Sequence, residues 1–420
     1  MPNSKSLFCG FLLIVFFISN TVAQDSWSQG TDMPTARFGH GVGLVKSKES
    51  LKVYVMGGYH GDEEGPVSSV EEYDPATDTW TTKADIPTGR GYIGCSVVGG
   101  KIYTMGGYTE DGGTYSNVEE YNTDTDTWTT KKPMPTARWG LSTVFANGKI
   151  YAIGGANGWP AELIEAVEEY DPVTNTWTTK APLPTPRWLL SCCVVDGKIY
   201  AIGGHVRIDT KDVVEEYDPV TDTWTTKSSM PTARWGLTTG VVNGKIYAIG
   251  GGTDYPPQAI LETVEVYDPG TDSWTTKSSM PAARMALASG SPSEDGKIYV
   301  IGGGGMEITE AYAEVYVYDP SLETSIEDNS IKSGNFNLHQ NYPNPFNPST
   351  TISYFLPESS NITLTIFNPS GQVLERLVDG FKTAGEHQLE WKPKGIPGGI
   401  YFYKLQSDEY FQTKKLIIQN

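Results

Sequence analysis

The chain has 420 residues, with 46 Gly, 27 Pro, 11% aromatic side chains and only 19% charged ones. That composition suits a turn-rich β architecture, argues against a helical bundle, and is too aromatic and too patterned for disorder. The formal net charge is −19, and residues 334–420 balance seven Asp/Glu against seven Lys/Arg, so the excess acidity lies upstream. A chain this acidic lacks a broad basic face for a phosphate backbone, which excludes generic nucleic-acid binding.

In chain order, residues 1–23 come first. Lys5, the apolar stretch Leu7–Ile18 and the small-residue end Thr21-Val22-Ala23 form the pattern of a secretory signal peptide. Its apolar core is short for a bilayer crossing, and no later stretch reaches about 18 apolar residues, so no stable membrane span is expected. Removing the signal takes one Lys and leaves 30 − 50 = −20. Cys95, Cys192 and Cys193 then remain, an odd set without framework spacing, read as small buried residues in strands. The five His have no paired metal-ligand spacing, and no metal or cofactor is expected.

Residues 24–322 repeat one unit. Trp80, Trp128, Trp177, Trp224 and Trp274 recur at intervals of 48, 49, 47 and 50 residues, each followed by Thr-Thr-Lys and then a Pro and an Arg. Glycine doublets at 57–58, 106–107, 154–155, 203–204, 250–251 and 302–303 keep the same phase. So do Tyr73, Tyr121, Tyr170, Tyr217, Tyr267 and Tyr318. Within one copy, Leu141–Ala146 and Lys149–Ile153 flank the hairpin dipeptide Asn147-Gly148, and strands over 167–170 and 176–179 follow. Four short antiparallel strands cannot bury both faces alone, whereas six such sheets arranged radially bury one another. The repeated Gly-Gly, Tyr and Trp resemble the kelch repeat. That resemblance implies an all-β, six-bladed kelch β-propeller.

The last copy has Tyr318-Asp319-Pro320 but no following Trp, while Trp27 stands alone near the start. Ser26-Trp27-Ser28 is therefore expected to supply the outer strand of the final blade.

Residues 323–333 read as a polar linker, and 334–420 as a small antiparallel, immunoglobulin-like β-sandwich. Asn341–Pro348, Gly371-Gln372-Val373, Gly385-Glu386-His387, Gly399-Ile400-Tyr401 and Lys414-Lys415 resemble the C-terminal sorting domain of the type IX secretion system. The resemblance implies contact with that machinery and export to the exterior or outer-membrane surface of a Bacteroidetes-type bacterium.

Strand parity places a functional face. The loops 59–69, 108–117, 156–166, 205–212, 252–262 and 304–311 vary from copy to copy and share one side, where binding sites are usually built. Six of the eight Arg enter that side in phase: Arg37, Arg90, Arg138, Arg187, Arg234 and Arg284. Phe38, Trp139, Trp188 and Trp235 follow them directly. One reading is a ligand pocket in which the arginines and Trp139, Trp188 and Trp235 hold an acidic glycan, a carboxylate or a protein partner. The other pairs these Arg with the in-phase Glu71, Glu119, Glu168, Glu215, Glu265 and Glu314 inside the fold. His60 and His205, just past glycine doublets, read as loop residues.

A secreted or cell-surface binding protein is the leading functional expectation. The alternative is an enzyme similar to the kelch sialic-acid mutarotases (N-acetylneuraminate epimerase-like), for which the Arg ring is suited but no single acid/base carboxylate stands out. No catalytic residue is assigned.

Overall fold

Asn147 and Gly148 both take positive φ, 50° and 81°, the type I′ geometry this dipeptide favours. The turn joins Ser142–Ala146 to Lys149–Ile153. Val167–Asp171 pairs next and Thr176–Lys180 last, so one repeat makes one four-stranded antiparallel sheet. The computed structural model describes residues 27–321 apart from 47–49, 62–64, 110–112, 208, 255–256, 258, 291–295 and 307–309. It also describes 337–418 apart from 339–340, 342–343, 345, 357–358, 369–371 and 408–410. The signal-peptide expectation lies outside the described residues.

Six such sheets follow one another as blades. The first begins at Gly41–Lys46, and the last combines Ala288–Gly290, Ile298–Ile301 and Val315–Tyr318 with Trp27–Gly30. Trp27 lies opposite Tyr318 and Gly30 opposite Val315. The N-terminal segment thus completes the sixth blade, as the orphan Trp implied, and the fold is an all-β six-bladed propeller.

Between blades the contacts are apolar. Val144, Tyr151 and Ile153 of the third blade bury against Leu190, Ile199 and Tyr217 of the fourth, and the other seams repeat the pattern. The glycine doublets make the close approach possible. At Gly57, φ is +65° and a Cβ would lie 2.6 Å from the Arg90 carbonyl oxygen of the next blade. The second glycine's amide bonds that carbonyl, as in Gly58 N–H to Arg90 O at 3.1 Å.

The tryptophans are clamps as well as wedges. The indole of Trp128 donates to the Ala84 carbonyl at 2.9 Å, and the Ala84 amide donates to Asp126 Oδ1 at 2.8 Å. At five of the six seams one residue of the preceding blade is held in this way by its neighbour's Trp and by the Asp or Asn of the neighbour's turn.

The second unit, Thr324–Asn420, is described by itself. Three strands (Asn337–Leu338, Thr350–Leu356, Gly385–Trp391) form one sheet and four (Ser360–Phe367, Val373–Lys382, Gly399–Gln406, Phe411–Ile418) another. Both contribute to one core that includes Ile352, Leu364, Tyr403 and Leu416. The asparagines of the Asn341–Pro348 stretch hold it down: Asn341 Nδ2 donates to Thr350 Oγ1 at 2.8 Å, and the Ile417 amide donates to Asn344 Oδ1 at 2.8 Å. Among the described residues, no helix is long and apolar enough to cross a membrane.

Candidate functional site

Each residue after a ring arginine pairs with the residue after a glycine doublet: Phe38 with Tyr59, Trp139 with Ala156, Trp188 with His205, Trp235 with Gly252 and Met285 with Gly304. The positions that follow the arginines and the variable loops therefore share one face, as parity requires.

The arginines do not reach solvent there. All six are buried, with at most 1% of each exposed. Arg187 shows where they go. Its Nε donates to Gly203 O at 2.7 Å, Nη1 to Thr185 O at 2.8 Å and Glu215 Oε2 at 2.5 Å, and Nη2 to Ala201 O at 2.9 Å. Thr185 Oγ1 donates to the other carboxylate oxygen at 2.8 Å. Equivalent ion pairs link Arg37 to Glu71 at 2.9 Å, Arg90 to Glu119 at 2.6 Å, Arg138 to Glu168 at 2.5 Å, and Arg234 to Glu265. Burial pulls the pKa of Arg37, Arg138 and Arg234 down, opposed by the paired carboxylates. This geometry corrects the expectation of an arginine-lined mouth. A guanidinium takes the in-phase Glu of its own blade, because a buried charge demands a partner and full hydrogen bonding.

The sixth blade departs from the set. Ala282 replaces the threonine, Arg284 and Glu314 stand 3.6 Å apart, and the Glu314 side chain is 32% exposed. Arg284 instead lies over the Tyr316 ring at 4.5 Å and the Tyr312 ring at 5.0 Å, and its Nε has no hydrogen-bond partner among the described residues.

Two residues after each ring arginine, the main chain closes on itself. The amide of Gly39 donates to Ala286 O, Tyr92 to Gly39 O, Gly140 to Tyr92 O, Leu189 to Gly140 O, Gly236 to Leu189 O and Ala286 to Gly236 O, at 2.6–3.0 Å. All six residues have φ between 50° and 62°. This ring of amides was not foreseen. Glycine marks only half of its positions, and Tyr92, Leu189 and Ala286 carry no local sign of a left-handed backbone.

Above the ring sits a cup of about 520 Å³, walled by Phe38, Trp139, Trp188, Trp235 and Met285, with Glu310 among its lining residues. In the second blade the wall position is Gly91, and the Tyr59 ring occupies the space that a side chain there would need. Trp139 and Trp188 meet edge to face at 4.6 Å, and Trp159, 61% exposed, reaches the rim 6.4 Å from Trp139. Trp139, Trp188 and Trp235 thus come together as expected, while Trp159 and Glu310 belong to loops whose sequences follow no period. On the other side of the ring lies a channel of about 530 Å³ with a mixed lining of aliphatic side chains and hydroxyls, among the latter Ser191 and Thr239, 2.8 Å apart.

His205 is buried behind the cup, its ring 5.9 Å from that of Trp188 and 6.4 Å from that of Trp235, and burial lowers its pKa. The thiols of Cys95 and Cys192 are pushed up to about 12 by burial, which keeps them protonated and inert. A mutarotase-like pocket needs accessible guanidinium groups, and the six ring arginines do not provide them.

Comparison with known proteins agrees with the fold. The KLHDC2/KLHL20/DRC7 Kelch-repeats domain matches residues 13–204, the Kelch motif matches 189–231 and 234–281, and the Secretion system C-terminal sorting domain matches 340–419. The chain is similar to Beta-scruin of Limulus polyphemus (37% identical over 92 residues, 21% of this chain and 9% of that protein). An F-box/kelch-repeat protein of Arabidopsis thaliana is 39% identical over 83 residues, 20% of this chain and 21% of the relative. Kelch-like protein 26 of Danio rerio is 34% identical over 88 residues, 20% of this chain and 14% of its own length. The chain thus spans only a small part of these relatives.

Proposed function

The chain is a kelch-repeat protein with a type IX C-terminal sorting domain, and from that premise we propose that it is a binding protein whose ligand, a glycan or a protein segment, docks in the aromatic cup of the loop face. The sorting domain indicates interaction with the secretion machinery and secretion or cell-surface export in a Bacteroidetes-type bacterium.

One observation carries the binding reading. Side chains from all six blades converge on one concave site, on the face that also carries the variable loops. A rigid scaffold beneath divergent loops is the usual plan of a recognition surface. Aromatic walls favour ligands that offer an apolar or π-complementary face. The arginines support this reading indirectly, because they brace the walls rather than contact the ligand.

Calorimetric titration of the full chain against glycan and peptide panels tests the proposal. Trp159→Ala, at an exposed rim position, is expected to weaken a discovered ligand by about tenfold with the melting temperature unchanged. A ligand that binds the parent chain, this variant and a Glu310→Gln variant with equal affinity would move the site elsewhere.

A further inference from the structure

Among the described residues, the variable loops of this face hold seven Asp/Glu (two each in 156–166, 205–212 and 252–262, and Glu310) against Arg207 and Lys211. Their formal charge is 2 − 7 = −5. Lys211 is moreover paired with Asp209. The ring arginines are sequestered beneath, and Glu310 is the one charged side chain among the described residues that line the cup. Such a field repels anions and concentrates cations at the mouth.

Inside, the walls present ring surface more than hydrogen-bonding groups. The Trp139 indole N–H already donates to Gly158 O at 3.3 Å, and that of Trp235 to Asp254 O at 2.5 Å. A neutral sugar needs several hydrogen bonds to offset its desolvation, and a primary ammonium would leave N–H groups facing carbon. A quaternary ammonium has no N–H to satisfy. Its charge is spread over methyl groups that lie well against indole and phenyl faces.

We propose that the cup takes a trimethylammonium group, seated against the ring surface that Trp139, Trp188 and Trp235 present to the cup and that Trp159 adds at the rim, and balanced by Glu310. The proposal rests on the reading of the cup as the ligand site and names the ligand chemistry. The group is carried either by a small solute such as choline or by a headgroup displayed on a lipid surface.

The test compares choline with 3,3-dimethylbutan-1-ol, the same shape with carbon in place of the charged nitrogen, by calorimetry on the full chain. Choline is expected to bind about tenfold more tightly than its neutral counterpart. Glu310→Gln is expected to weaken choline several-fold and leave the alcohol unchanged. Equal affinity for the two compounds would overturn the cationic assignment while leaving the cup a binding site. No heat from either compound, together with a glycan or peptide ligand that Trp159→Ala weakens, would also overturn it with the site intact. No ligand sensitive to Trp159→Ala would remove the site reading as well. Co-sedimentation with phosphatidylcholine vesicles separates the two sources, retention pointing to a displayed headgroup and choline binding without retention to a solute.

Discussion

The indole N–H of Trp27 donates to the carbonyl of Ser278 at 3.1 Å, across 251 residues of chain. Trp274 makes the same bond to Ser228, Trp224 to Ala181, Trp177 to Lys132, Trp128 to Ala84 and Trp80 to Thr31. Trp27 therefore occupies the seat of the tryptophan that the sixth repeat lacks, and the two ends of the propeller are fastened by the repeat's own device.

Trp27→Ala removes a buried indole and this bond together, and is expected to cost about 3–5 kcal/mol. Trp27→Phe keeps most of the packing and should cost about 1–2 kcal/mol, largely the lost N–H. Deleting residues 24–30 should lower the melting temperature sharply. Differential scanning calorimetry of the full chain reads all three, and an unchanged transition in the deletion variant would contradict closure through this strand.

Arg187→Met strands the buried Glu215 carboxylate and is expected to destabilise the chain by about 3–5 kcal/mol. Arg187→Met with Glu215→Met should recover much of that loss, since replacing a buried ion pair by apolar side chains is often near neutral. Chemical denaturation measures both. Full stability in the single variant with lost ligand binding would show that the guanidinium faces a ligand after all.

The sixth blade offers a gain. Ala282→Thr restores the hydroxyl that holds the glutamate in the other blades, as Thr232 Oγ1 holds Glu265 at 2.8 Å. It should draw Glu314 onto Arg284 and stabilise by about 1 kcal/mol. A melting temperature at or below that of the parent chain would refute it.

His40 stands where the other blades place Ile93, Leu141, Leu190, Leu237 and Leu287. Buried at 5% exposure, with the Arg37 charge nearby, its pKa falls from 6.5 to about 3. The folded chain holds this imidazole neutral while the unfolded chain protonates it. Stability is therefore complete above about pH 6.5 and declines as pH falls toward 3, by on the order of 4 kcal/mol from this group. His40→Leu should flatten that decline in urea titrations at pH 7 and pH 4. An identical pH slope in both proteins would exclude His40 as its source.

The six blades were legible because their markers are side chains that recur in phase: Trp, Tyr, Gly-Gly. Closure was legible because Trp27 was surplus and the last repeat was one short. The arginines show where such reading stops. Periodicity gives their phase but not the direction of the side chain, and only burial decides between a ligand and Glu215. The amide ring left little trace, since a hydrogen bond between main-chain groups accepts Gly39 and Leu189 alike. The Trp159 and Glu310 contributions come from loops without a repeat, where chain order gives no geometry.

The ring that joins Gly39 to Ala286 is made wholly of peptide groups. The seat beneath the cup is thus insulated from substitution at its rim, and an exposed position such as Trp159 can be exchanged without redrawing the platform below it. One chassis can in this way be refitted for different cargoes by a handful of codons, with the blades left as they are.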